Sequence, residues 1–361
     1  MTTTSRPAVL TADDYSQKVF TAALGAFETL SLYAGDRLGW LRSLAADGPA
    51  TAAELAARTV TNQRYCREWL EMQACFGNLV ADAGTVSDRR YTLPPGAAEA
   101  LTDEHSLAFL GSLPRLVAAV GPHLEKLLNA YRTGGGVSWG ELGADAREAQ
   151  AALNRPWFES RLAPALDSCD SVRSILSRAN VRIADVGCGA GWSTIALATA
   201  YPRAELVGYD IDPPSIDMAR AAAAEAGVAD RVTFRLASAD TMEEDRFDGV
   251  FAFECLHDMP RPVEVLGSIR RSVRPDGLVI IMDEAVAPEF SAPGDEVDQI
   301  MYGYSMFICL PDGLSSAPSA GTGTVMRQPV LDDYATRAGF SSVEVLPIED
   351  FSFFRFYRLH C

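Results

Sequence analysis

Histidine is scarce in this 361-residue chain, with four copies, and none stands beside a cysteine at metal-ligand spacing. The seven cysteines, Cys66, Cys75, Cys169, Cys188, Cys255, Cys309 and Cys361, include no Cys-x-x-Cys pair. Neither a zinc module nor a disulfide framework is indicated, so no metal and reduced thiols are expected. No stretch approaches the roughly 20 apolar residues of a membrane span. The opening "MTTTSRPAVLTADDYSQK" has no apolar core that could serve as a secretion signal. A cytoplasmic location without a membrane partner is therefore expected. Basic residues are the minority, 31 against 48 acidic ones, for a formal charge of −17. Such a charge repels phosphate backbones, and nucleic acid is not the expected partner.

The length suits two domains of roughly 100 to 200 residues each. Residues 1–145 read as a helical, winged-helix-like domain and 146–361 as an α/β domain. In the first, "PATAAELAARTVTNQRYCREWLEMQACFGNLVADAG" and "RRYTLPPG" give a short helix from Ala52, a turn at Thr61-Asn62, a second helix through Trp69, and short strands at Leu79–Ala81 and Arg90–Leu93. The second helix is the one that would enter a DNA groove. It carries Arg64 and Arg67 but also Glu68 and Glu71, so a dimerisation or lid module is the favoured reading and a DNA-binding, metabolite-sensing regulator the alternative.

From Val181 onward short apolar runs alternate with amphipathic helices. The runs are Val181–Val186, Ala204–Asp210, Val232–Leu236, Gly249–Phe253 and Leu278–Met282, followed by Val343–Pro347 and Phe351–Leu359. This is the pattern of a mostly parallel, Rossmann-like sheet of seven strands. The first run opens into "VRIADVGCGAGWST". Gly187 and Gly189 fit a dinucleotide fingerprint, but its third glycine would be residue 192, which is Trp192. No Gly-Lys-Ser/Thr follows, so a triphosphate loop fails as well. Asp185, two residues before the first glycine, would repel a pyrophosphate and attract a ligand carrying an ammonium and a sulfonium.

"ADVGCGAGW" resembles the first motif, [DE]-x-G-x-G-x-G, of the class I S-adenosylmethionine-dependent methyltransferases. The resemblance implies that Gly187, Gly189 and Gly191 admit the cofactor's methionine portion and that Asp185 orients its ammonium. It further implies that Asp210, ending "LVGYD", takes the ribose hydroxyls, with Asp212 a weaker competitor. Asp240, in "FRLASAD", is then the adenine contact, and Ile211 and Phe253 complete the cofactor set. Each acid alone could instead be a helix cap or a solvated loop residue. In order, each ending a strand, they agree with one another.

Of the histidines, His257 in "FDGVFAFECLHDMPRP" is the one at the carboxyl end of a strand, where open α/β sheets place their ligands. An imidazole titrating near 6.5 can accept a proton from a phenol or enol. "LHDM" resembles the Leu-His-Asp-Trp-like motif of the winged-helix small-molecule O-methyltransferases, with Met259 in the aromatic position. That resemblance makes His257 the candidate base and gives Glu284 or Asp258 the orienting role. "LNRPWFESRL" resembles the group's active-site helix and supplies Trp157. In the insertion after the fifth strand, Met301, Tyr302, Tyr304, Met306 and Phe307 are candidate contacts for an aromatic or polyketide-like acceptor. The expected reaction is methyl transfer from S-adenosylmethionine to a small organic acceptor, leaving S-adenosylhomocysteine, in a homodimer.

Overall fold

The computed structural model describes residues 10–242 and 247–361. The first nine residues, where the sequence read for a secretion signal begins, lie outside the described residues. The chain forms two compact units, Met1–Ala118 and Ala119–Cys361; residues 119–145, read from sequence with the N-terminal domain, group with the second.

The first unit starts with α1 (Ala12–Arg37), whose N-terminus is closed by a reciprocal capping box between Thr11 and Asp14. It continues through α2 (Trp40–Asp47), α3 (Ala52–Thr59) and α4 (Gln63–Phe76). Thr51 and Glu54 box the start of α3, Asn62 caps α4, and Gly77 ends α4 at φ 84°, a left-handed stop that favours glycine. An antiparallel ladder, β1 (Val80–Ala81) with β2 (Tyr91–Thr92), forms the wing, so the unit is helical but for one hairpin. Trp40, Leu41, Leu55, Trp69 and Leu70 fill its core. The Trp69 indole donates to the Ser31 carbonyl at 2.8 Å. Gly35 is required there, because a Cβ would lie 2.5 Å from the Trp69 ring.

The second unit is built on seven strands: β3 (Arg182–Val186), β4 (Glu205–Asp210), β5 (Val232–Leu236), β6 (Phe247–Phe253), β7 (Val273–Glu284), β8 (Ser342–Val345) and β9 (Phe354–His360). Their spatial order is β5-β4-β3-β6-β7-β9-β8, parallel except for β9, which runs antiparallel to both neighbours. Alternate residues face opposite layers. Ile183, Phe251, Phe253, Leu278 and Ile280 join one core, and Ala184, Val186, Val250, Ala252 and Ile281 the other. The order reverses between β3 and β6. The carboxyl ends of those two strands therefore border the crevice where open α/β sheets bind ligands.

Candidate active site

The loop leaving β3 is pinned by its own backbone. Gly187 and Cys188 both donate to the Tyr209 carbonyl, at 2.8 and 3.0 Å, and Gly191 donates to Cys188 at 2.8 Å. All three glycines have positive φ: 68°, 49° and 83°. Added Cβ atoms at Gly187 and Gly191 would meet Cys255 at 2.7 Å and both Ala219 and Phe234 at 2.8 Å. At Gly189 a Cβ would meet nothing within 4 Å, so this glycine opens onto free space. The following helix, Trp192–Ala200, turns its first hydroxyls back on the strand. Ser193 and Thr194 each donate to Oδ2 of Asp185 at 2.6 Å. Oδ1 of Asp185 is buried with no hydrogen-bond partner. Burial pushes this carboxyl up to about 6, against the pull of the two hydroxyls.

Asp210 ends β4 and closes on the loop: Oδ2 accepts the Gly189 N–H and Oδ1 the Asp212 N–H, both at 2.8 Å. Burial holds its carboxyl above the ordinary value. The competing Asp212 is otherwise engaged. It caps the helix Pro213–Glu225 and binds Arg147 through two bonds of 2.6 and 3.0 Å. Asp240 accepts the Ser238 hydroxyl at 2.5 Å and is ion-paired with Arg261. Ile211 is 71% exposed. Phe253 lies in the core, stacked on Phe251 at 5.4 Å and 6.0 Å from Phe158.

Across the switch point, the turn Leu256–Asp258 buries His257 to 2% exposure. Its Nδ1 lies 2.9 Å from Asp283 and 3.1 Å from Glu284, at the end of β7, and its Nε2 lies 3.3 Å from Asp258. Burial alone would depress the imidazole. Asp258, Glu284 and Asp283 outweigh burial and hold it well above 6.5. Burial keeps the Glu284 carboxyl well above its ordinary value, whereas the His257 charge overrides burial and keeps Asp283 below. Asp283 was not singled out from sequence, although "MDE" places two acids in a row at a strand end. Two groups of ligand atoms, His257–Asp258–Cys309 and His257–Asp283–Glu284, each fall within 4.8 Å and could hold a metal ion. Either would draw on an imidazole lone pair.

Trp157 ends the helix Trp139–Trp157 and packs on Phe351 at 5.5 Å. The chain then runs through a π-helical turn, Phe158–Leu162, a distortion common at functional sites. In the insertion, Met301 is buried, Tyr302 and Met306 are exposed, and Phe307 is 39% exposed. Tyr304 is partly buried close to Glu254, Cys309 and Glu284; burial and these groups raise its phenol above the ordinary value. The structure thus brings His257, Asp258, Glu284 and Tyr304 together. It sets Ile211, Tyr302 and Met306 toward solvent.

Residues 177–304 match the family described as "Methyltransferase domain", and residues 26–103 match the "Rv2258c-like winged HTH domain". The 27-O-demethylrifamycin SV methyltransferase of Amycolatopsis mediterranei is 37% identical over 125 residues, 34% of this chain and 44% of its own length. The chain thus spans less than half the length of this curated relative. Among solved structures, the mitomycin 7-O-methyltransferase MmcR superposes with a TM-score of 0.70 at 18% identity, covering 96% of this chain and 97% of its own. PigF with S-adenosylhomocysteine gives 0.72 at 20% identity, covering 98% and 100%. These likenesses establish the fold: a winged helix-turn-helix domain precedes a methyltransferase domain.

Proposed function

Because residues 177–304 are a methyltransferase domain, we propose that the protein transfers the methyl group of S-adenosylmethionine to a hydroxyl of a small aromatic or polyketide-like acceptor and releases S-adenosylhomocysteine. The observation that carries this reading is the buried, unpartnered Oδ1 of Asp185 beneath a glycine loop that leaves space at Gly189. A buried carboxylate oxygen without a donor is costly, and a ligand bearing an ammonium supplies one. A pyrophosphate would add repulsion. These residues fit the cofactor: the loop backbone and Asp185 would hold the methionyl portion, Asp210 the ribose and Asp240 the adenine, with Ile211 and Phe253 flanking. When bound, that cofactor supplies an electrophilic methyl group on a sulfonium.

The chain's own part is to position the acceptor and remove its proton. Nε2 of His257 takes the hydroxyl proton, and Asp283 and Glu284 fix the ring from the Nδ1 side. Asp258 is the group the acceptor hydroxyl displaces or joins at Nε2. Trp157, Met301, Tyr302, Tyr304 and Met306 are the proposed acceptor contacts. The O-methyltransferase names of the relatives above support oxygen as the nucleophile. The test is release of S-adenosylhomocysteine with a panel of phenols, polyketides and keto acids; product from keto acids alone, with none from any phenol or polyketide, overturns the acceptor class.

We further infer a homodimer built on α1. Tyr15, Val19, Phe20, Leu24, Phe27 and Leu30 are all exposed, and at 100° per residue they fall within about half the helix circumference. A helix with such a face and no core beneath it gains stability from a partner helix. The alternative of a DNA-binding regulator draws support from the winged-helix match, but Arg64 on α4 is ion-paired with Glu68. Among the described residues, no helix is long and apolar enough to cross a membrane.

A further inference from the structure

Glu254 follows β6 directly, three residues before His257, and has no role in the reading above. Its backbone sits at φ 53°, a left-handed conformation that strains a glutamate. Its N–H donates to the Met282 carbonyl at 2.7 Å, tying it to β7. From one face of the helix Trp139–Trp157, a turn apart, Gln150 Nε2 and Asn154 Nδ2 donate to its two carboxylate oxygens at 2.9 and 2.5 Å. The carboxylate is therefore fixed in direction by neutral amides.

Among the described residues no arginine or lysine pairs with its charge. Asp212, Asp248 and Asp298 in this unit have Arg147, Arg274 and Arg327, whereas Asp185 and Asp283, like Glu254, have none. The His257 imidazole is already flanked by three carboxylates. Burial outweighs the Asn154 bond and the nearby His257 charge and pushes the Glu254 carboxyl up to about 7, with Asp258 and Asp283 adding to the rise. Nearby, Oδ2 of Asp283 is also buried without a hydrogen-bond partner. The next residue, Cys255, lies against the glycine loop: its thiol donates to the Val186 carbonyl at 3.1 Å, and it is the atom set a Cβ at Gly187 would strike. Glu254 thus stands in sequence next to the residue that touches the loop and three before the histidine.

We propose that Glu254 is a receptor for an ammonium group at the methyl-transfer end of the cleft, an inference that rests on the donor-binding reading above. An ammonium is a compact charge with three donors, matched to a fixed carboxylate that has free lone pairs and shares the His257 charge with three other carboxylates. Asp185 takes the donor's ammonium in that reading, so the ligand for Glu254 is an acceptor with a protonated amine, held beside Tyr304, which lies close to this carboxylate.

The test is calorimetry with wild type, Glu254→Gln and the charge-conserving Glu254→Asp. The ligand pairs are S-adenosylhomocysteine against 5′-methylthioadenosine, which lacks the amino-acid portion, and tyramine against 4-ethylphenol, which lacks the amine. Loss of a charge-assisted bond weakens the ammonium-bearing member on the order of tenfold or more. Glu254→Gln is expected to do so for tyramine while 4-ethylphenol and both nucleosides are unchanged, and Glu254→Asp to keep part of the preference. Selective loss of S-adenosylhomocysteine instead would place the donor's ammonium at Glu254 and overturn the inference. If both members of each pair change equally, or none changes, the inference is overturned while donor binding by the wild type stands. If the wild type binds neither nucleoside, the donor reading itself falls and takes the inference with it.

Discussion

Nδ1 of His257 lies 2.9 Å from a carboxylate oxygen of Asp283, so the candidate base is clamped by the residue before Glu284 as well as by Glu284 itself. The sign of the consequence is definite. A base works unprotonated, and the surrounding carboxylates hold this imidazole protonated to a pH well above 6.5. Turnover should therefore rise with pH across the range above 6.5. Asp283→Asn removes one of the charges that stabilise the imidazolium and should move that limb to lower pH. His257→Ala should abolish the limb and lower turnover by about 10² to 10⁴. A pH–rate profile of the three proteins checks this; an unchanged profile in His257→Ala returns the histidine to a structural role.

The glycines separate stability from binding. Gly191→Ala places a Cβ 2.8 Å from both Ala219 and Phe234 in a left-handed backbone, and should cost about 3 kcal/mol. Gly189→Ala meets nothing within 4 Å and carries only the left-handed cost of about 1 to 2 kcal/mol. It should nevertheless lose donor affinity at least tenfold, because its methyl enters the open space beside the loop. Thermal melts paired with calorimetry read both effects.

Much of the fold was legible in the sequence because the glycine loop and the strand runs are local. Asp185 and Asp210 lie at strand ends as their runs suggest, and the strands begin and end close to their expected limits; Asp240, read as ending the third strand, instead lies four residues past it, in the turn Ala239–Thr241. The long β7 is an exception: it starts at Val273, before the "RPDG" that reads as a turn. What the sequence hid are relationships across distance. Gln150 and Asn154 reach Glu254 over about a hundred positions, Arg147 reaches Asp212 over sixty-five, and Asp283 meets His257 from another strand. No periodicity encodes such pairs. Glu254 and Asp283 also stand beside more conspicuous neighbours, His257 and Glu284, which drew the chemistry to themselves.

The exposed face of α1 gives a prediction independent of chemistry. Phe20→Glu combined with Phe27→Glu puts charge on the apolar half of the helix and should shift the protein from dimer to monomer in light scattering. Helical content should be retained apart from α1, since neither side chain is part of the Trp40–Trp69 core. A wild-type monomer would sink the dimer proposal.

The central claim is that an acidic, glycine-lined pocket takes a cationic methyl donor and refuses a dinucleotide. Calorimetric titration of S-adenosylmethionine and of NAD into wild type and Asp185→Asn tests it most directly. The expected result is saturable one-to-one binding of S-adenosylmethionine to the wild type, at least tenfold weaker binding to Asp185→Asn, and none of NAD to either. In the same variant the melting temperature should hold or rise, because a buried carboxyl raised to about 6 is ionised at a cost at neutral pH. Binding of NAD with no binding of S-adenosylmethionine would contradict the account.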